Sequence, residues 1–420
     1  MTRNFEQNLQ KYADLSLQVG VNLQPGQRLL IRGSYMYPGV SLHAAPLVRQ
    51  IAERAYLFGA RSVDVIWSDD HILLSRFRHA SPDTFTEYPA WLAKGILEYA
   101  ERGDAMIAIL TEDPDLLSGQ DPDLVGIFQK TARQNLLPVS EYVARNGLNW
   151  LGIGAFHPGW AAKVFPDLPA GEQQSRLWES IFKVCRLDQP DPLSAWQDHL
   201  NILAARKDFL NHKQYTALRF TGPGTDLTVG LPQGHIWRGG SITSQAGIVF
   251  TPNLPTEEVF TLPHRELTQG VVQATRPLSH GSLIENFSLT FEQGRVVKVS
   301  AEKGELILRK LVENDEGAGR LGEVALVPHS SPIAQSGLLF YNTLYDENAA
   351  SHVALGRAYK FNLQGGESMP DEEFVRAGGN NSLVHVDFMI GSGEMDVDGM
   401  NAQGYSEPVM RHGEWAFDLA

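Results

Sequence analysis

From Phe5 to Val19 apolar residues recur at helical spacing (Phe5, Leu9, Tyr12, Leu15, Leu17), which predicts an amphipathic helix at the start of the chain. Pro25-Gly26 then turns the chain into the run Leu29-Leu30-Ile31, a predicted strand over 28–33. The pattern continues with a helix over 42–58, a strand over 62–67, helices from Asp70 and over 89–102, and a strand over 105–110. A helical region over 122–146 and a strand over 149–153 complete the series. Strands alternating with helices predict a parallel sheet covered by helices, an N-terminal doubly wound α/β domain. Two more helices, over 172–186 and 192–210, flank Asp188-Gln189-Pro190-Asp191-Pro192. That turn-rich segment is the expected boundary between a domain over 1–190 and one over 191–420.

Beyond Gln214 the period shortens. Tyr215–Phe220, Asp226–Val229, Gly247–Phe250 and Phe287–Phe291 are short alternating or β-branched runs separated by Gly, Pro and Asn, as in antiparallel sheet. Gly294-Arg295 turns the last of these into a strand over 296–299, and helices are predicted over 302–313 and 333–341. The C-terminal domain therefore reads as α+β and rich in antiparallel sheet. In the first domain, ligands of such a fold sit beyond the carboxyl ends of the strands, where Gly33-Ser34-Tyr35 and Thr111-Glu112-Asp113 fall. Gly152-Ile153-Gly154 is an isolated G-x-G without the rest of a dinucleotide fingerprint.

Composition narrows the function. With 35 Lys and Arg against 49 Asp and Glu the net charge is −14, which argues against nucleic acid or an anionic membrane as the main partner. The single Cys185 excludes a disulfide framework and a Cys-rich zinc site. Met1 is followed by Thr2-Arg3-Asn4-Phe5-Glu6-Gln7, with no apolar signal region, and no apolar run is long enough to span a bilayer. The expectation is a soluble cytoplasmic protein.

The chemistry gathers in the second half. Asn253-Leu254-Pro255-Thr256-Glu257-Glu258 ends in adjacent acids, of which an extended backbone can aim only one into a given pocket. Glu323 follows Gly322 at the mouth of the apolar run Val324–Val327. Asn348 reads as the cap of a helix through Ala349-Ala350-Ser351, leaving Glu347 outside it and His352 on its first turns, with Gly356 as its end and Tyr359 beyond. His385 and Asp387 lie two apart on the strand Val384–Ile390, so both project from one face. A histidine and a carboxylate facing one way off an apolar strand call for a cation or tight hydrogen bonding.

The blocks N-L-P-T-E-E-V-F-T, L-G-E-V-A, N-T-L-Y-D-E-N-A-A-S-H-V-A-L-G and N-S-L-V-H-V-D-F-M-I-G occur in that order. G-S-G-E-M-D-V-D-G and R-H-G-E-W close the chain. Across nearly its whole length the sequence resembles the M29 metallo-aminopeptidases, of the aminopeptidase T and aminopeptidase S type. The resemblance implies metal ligands at Glu257, Glu323, His352, Tyr359, His385 and Asp387, with Glu347 as a further ligand or the acid beside the bridging water. It also implies two divalent ions per chain (Zn, Co, Mn or Mg), a homodimer, and a peptide with a free N-terminus as substrate. Glu323 is the expected bridging carboxylate, Glu258 and Glu347 the alternative proton carriers, and Tyr359 a ligand or hydrogen-bond donor to the oxyanion.

Two other readings compete. His352, His385 and Asp387 alone make the 2-His-1-carboxylate set of a mononuclear non-haem Fe(II) ring-cleaving dioxygenase of the dihydroxypyridine type. Glu257, Glu323 and Tyr359 are surplus to such a site. A non-catalytic binding protein stabilised by one structural ion is the second; it should unfold on chelation, whereas an open catalytic site should lose activity and stay folded.

Overall fold

The computed structural model describes residues 3–279 and 283–417. The chain forms two compact units, 1–199 with 241–255, and 200–240 with 256–420. The segment 241–255 thus belongs to the first unit although it lies far along the sequence.

In the first unit a parallel sheet has the strand order Asn253–Leu254, Trp150–Gly154, Ala105–Leu110, Arg28–Arg32, Ser62–Val65. Leu29, Leu30 and Ile31 are all buried, as the continuous apolar runs of parallel strands require when helices cover both faces. Ala90–Glu101 and Pro122–Ala144 pack on one face through Leu92, Ile96, Leu136 and Val139, around Leu30 and Met106. The expected strand over 62–67 breaks at Ile66, after which Trp67–Ser68 pairs separately with Val40–Ser41. Asn253–Leu254, expected as loop, adds an edge strand beside Gly152 and Ile153.

The second unit contains two antiparallel sheets. The larger has nine strands among the described residues and buries Leu218, Phe220, Leu227, Val229, Phe287 and Leu289. The predicted helix over 302–313 begins only at Glu305, because the strand before it runs to Lys303. The helix expected over 333–341 is the single turn Pro332–Ser336, ended by Gly337 in the left-handed region. The smaller sheet has the order Val259–Thr261, Leu321–Leu326, His352–Gly356, His385–Met389 and carries the candidate site. The described residues therefore join a parallel α/β unit to an α+β unit of antiparallel sheet. None of their helices is long and apolar enough to cross a membrane.

Candidate metal centre

Pairing in the small sheet fixes which side chains meet. Glu323 pairs with Ala354, and Ala354 with Asp387, so one row across three strands reads Glu-Ala-Asp. The next rows are Ala325-His352-Met389 and, on the other side, Gly356-His385. Residues two apart on a strand share a face, so Glu323, His352, His385 and Asp387 all project from one side. Ala325, Ala354 and Gly356 occupy that face between them and keep it open. Gly356 has φ +102, and a Cβ there would lie 2.1 Å from the Val384 carbonyl oxygen. Gly322 sits where the register shifts ahead of Glu323; its Cβ would meet the Arg357 and Gly356 carbonyl oxygens, each at 2.3 Å.

His352 therefore starts a strand, and the helical reading around it is corrected. A helical turn over Thr343–Asp346 is capped by Asn342, a 3-10 turn covers Glu347–Ala349, and the chain is extended from Ala350. Val353 and Leu355 are fully buried and pair on both sides, and that tertiary pairing outweighs the local capping signal. Asn348 has another role. Its side-chain oxygen accepts the Glu257 N–H at 2.7 Å and its amide donates to the Leu344 carbonyl at 3.0 Å, tying the 347 turn to the acidic pair. Sequence reasoning missed this contact, because Asn348 followed by two alanines reads locally as a helix cap.

The acids at 257 and 258 separate by alternation. Phe260 pairs with Ala325, on the donor face; stepping back two residues brings Glu258 to that face and turns Glu257 away. Glu258 accordingly joins His352 and Glu323 in one group with ligand atoms within 4.8 Å, while Glu323, His385 and Asp387 form a second. Glu257 is buried and acts on Arg206, outside both groups. Glu347 is also outside them, although its burial and the charges of Glu258 and Asp387 hold its carboxyl well above the usual range. Tyr359 stacks on Phe361 and lies 4.9 Å from the His385 ring between centroids. Burial, then Glu323 and Asp387, raise its phenol well above the ordinary value.

Both histidines are oriented for ligation. His352 Nδ1 lies 3.1 Å from the Ala350 carbonyl oxygen and His385 Nδ1 2.7 Å from that of Arg357. A carbonyl only accepts, so each Nδ1 carries a proton and each Nε2 is turned to the acids. His352 Nε2 is 3.1 Å from Glu258 Oε2 and 3.5 Å from Glu323 Oε1. His385 Nε2 is 3.4 Å from Asp387 Oδ1 and 3.7 Å from Glu323 Oε2. Glu258 Oε2 and Asp387 Oδ1 are nevertheless buried without a hydrogen-bond partner. Burial opposes charge on both rings, but Glu258 and Glu323 outweigh it at His352. Asp387 and Glu323 do so at His385, to about 10. Burial likewise raises Glu323, whereas at Asp387 it is overcome by His385 and the net shift is downward. Orphaned carboxylate oxygens beside two imidazoles directed by backbone carbonyls are the surroundings a divalent cation satisfies.

Oxygen- and nitrogen-donor groups of this kind on an antiparallel sheet are those of a metal-dependent enzyme. Residues 5–415 match the family described as thermophilic metalloprotease (M29). The chain is 48% identical to Aminopeptidase 2 of Geobacillus stearothermophilus over 417 residues, 99% of each chain. It is 47% identical to Aminopeptidase T of Thermus thermophilus, over 98% of this chain and 99% of that one. The solved structure of wild-type AmpT from Thermus thermophilus superposes with a TM-score of 0.92 at 46% identity, covering 98% of this chain and all of the other. The chain belongs to the M29 family and is a metallo-aminopeptidase, and membership implies a divalent metal cofactor.

Proposed function

We propose that this protein releases the N-terminal residue of peptides by hydrolysis at a two-ion centre. Glu258, Glu323 and His352 would hold one divalent cation and Glu323, His385 and Asp387 the other. The observation that carries this reading is the orientation of Glu323: Oε1 faces His352 and Oε2 faces His385, so one carboxylate serves both groups. Glu258 takes the ligand position that the family resemblance gave to Glu257. Glu347 and Tyr359 stand beside the two groups without belonging to either.

Divalent cations bound there supply Lewis acidity, giving a nucleophilic water near neutral pH and a polarised peptide carbonyl. The remaining work falls to side chains. Glu347, beside the donor groups but in neither, accepts the water's proton on a carboxylate oxygen and returns it to the departing nitrogen. The C–O bond forms first, placing the carbonyl π pair on oxygen; that pair returns as the C–N bond breaks, and the nitrogen takes the proton and leaves as a neutral amine. The Tyr359 hydroxyl, held by the stack on Phe361, donates to the developing oxyanion. The acids of the site also attract the free α-ammonium of a peptide, which restricts cleavage to the first residue.

The mononuclear iron reading leaves Glu258 and Glu323 unused, although both stand within 3.5 Å of His352 Nε2. The test is metal analysis of the purified protein with a leucyl-p-nitroanilide assay before and after EDTA, adding back Zn, Co, Mn or Mg. Close to two ions per chain and activity that returns with metal are expected; one iron and no amine release would overturn the proposal. A homodimer and a cytoplasmic setting complete the reading, and light scattering and cell fractionation test them.

A further inference from the structure

The first unit has a buried charge that the peptidase chemistry does not use. Arg32 ends the strand Arg28–Arg32 and is 2% exposed. Its Nε donates to Met106 Sδ at 3.0 Å and its Nη1 to the Gly33 carbonyl oxygen at 3.2 Å. Its guanidinium carbon sits 4.4 Å from the Tyr35 ring centroid. Tyr35 and Tyr88 are the ionisable groups acting on it, and both are neutral phenols at neutral pH. No carboxylate acts on it among the described residues. An arginine does not lose its proton, so the fold carries a positive charge whose partners are all uncharged: a thioether, a carbonyl and the Tyr35 hydroxyl. The Tyr88 hydroxyl is also buried without a hydrogen-bond partner, and the Tyr35 hydroxyl interacts only with the Arg32 guanidinium.

The position within the sheet points the same way. The strands Arg28–Arg32 and Ala105–Leu110 are neighbours, with Ser62–Val65 on the outer side of the first and Trp150–Gly154 on the outer side of the second. Strand order therefore reverses between them, and in open α/β sheets ligands lie at the carboxyl ends of that pair. Arg32 is the last residue of one of the two. The acids at that end of the sheet, Glu112, Asp70 and Asp113, act on Tyr37 and do not appear among the groups acting on Arg32.

We propose that Arg32, with the hydroxyls of Tyr35 and Tyr88, forms a binding site for a small carboxylate in the first unit. One guanidinium balances one negative charge, so a singly charged carboxylate leaves the site neutral whereas a phosphate dianion leaves it charged. The free Nη hydrogens supply a charge-assisted pair, and two phenols donate to the remaining lone pairs. Leu30, Leu92 and Met106 belong to the packed core on that face, against which Tyr35 and Tyr88 also pack, so the site suits a carboxylate as small as acetate.

The experiment uses the full, metal-loaded protein at pH 7.5. Sodium acetate replaces sodium chloride at constant ionic strength while the melting temperature is followed, with sodium phosphate as a second arm. Acetate should raise the wild-type melting temperature to a plateau, as a ligand of the folded state does. Arg32→Met should lose this response, and Tyr35→Phe and Tyr88→Phe should each weaken apparent affinity roughly tenfold or more. No acetate response in the wild type, or an equal one in Arg32→Met, overturns the site. A response through Arg32 to phosphate and not to acetate overturns the carboxylate assignment. Should Arg32→Met fail to fold, the double variant Tyr35→Phe/Tyr88→Phe replaces it, and an unchanged acetate response there overturns the site.

Discussion

Glu323→Gln is the sharpest perturbation, because its sign differs between the metal-free and metal-loaded protein. Without metal, burial, together with Asp387 and Glu258, holds the Glu323 carboxyl above its ordinary range despite His352 and His385. A raised carboxyl value means that its charge is less favourable in the fold than in the unfolded chain at neutral pH, so an isosteric neutral residue should be stabilising or neutral there. With metal the balance reverses. Two divalent ions carry four positive charges, matched by Glu258, Glu323, Glu347 and Asp387; the variant leaves three acids and removes the donor common to both groups. Taking roughly 100-fold weaker binding, the upper end of what losing even an indirect partner costs, metal-dependent stabilisation falls by about 2.7 kcal/mol. For a unit of this size that is a loss of about 5–10 °C in the metal-induced rise of the melting temperature. Melting curves across a metal titration, with metal content after gel filtration and leucyl-p-nitroanilide turnover, read all three consequences. A variant that keeps two ions, the wild-type metal-induced shift and its activity would refute the shared-carboxylate argument.

Three further outcomes are expected. Glu347→Gln should keep its metal and lose roughly 100- to 10,000-fold in turnover, whereas Glu258→Gln should lose metal; equal metal loss in both would remove Glu347 as proton carrier. Ala354→Leu places a larger side chain in the row between Glu323 and Asp387, so metal uptake should vanish at a stability cost of about 1–3 kcal/mol; unaltered metal content would refute the face assignment. His235 is buried, its Nδ1–H donates to the Pro232 carbonyl oxygen at 3.0 Å, and its Nε2 has no partner. Burial lowers its pKa, so the unfolded chain binds more protons below the ordinary histidine value of 6.5. Stability from this residue is therefore complete above pH 6.5 and is lost as the pH falls below it. Urea titrations in EDTA should show a wild-type decline that is shallower in His235→Asn; parallel curves would count against the neutral histidine.

Much of the centre was legible because strand chemistry is local. His385 and Asp387 share a face by the two-residue period alone, and their apolar neighbours mark the strand. The glycine before Glu323 signalled a close backbone approach, which the contacts of Gly322 with the 356–357 carbonyls account for. His352 was harder: Asn348 followed by alanines has the local signature of a capped helix, and only pairing with strands 31 residues upstream and 33 downstream makes it extended. Glu257 and Glu258 are equivalent by composition. The Phe260–Ala325 register, set across 65 residues of sequence, separates them.

The sequence by itself determined the alternation that makes the first unit a parallel α/β sheet, the shift to antiparallel strands, and the identities of the acids, histidines and tyrosine available for chemistry. It also carried the blocks by which the family is recognised. Tertiary structure decided that 241–255 returns to the first unit, that His352 opens a strand, that Glu258 rather than Glu257 faces the imidazoles, and that Arg32 is buried without an acid. The physical reason is range: periodicity and turn chemistry act over a few residues, whereas strand register, burial and the field at a buried charge arise from segments brought together only when the chain has folded.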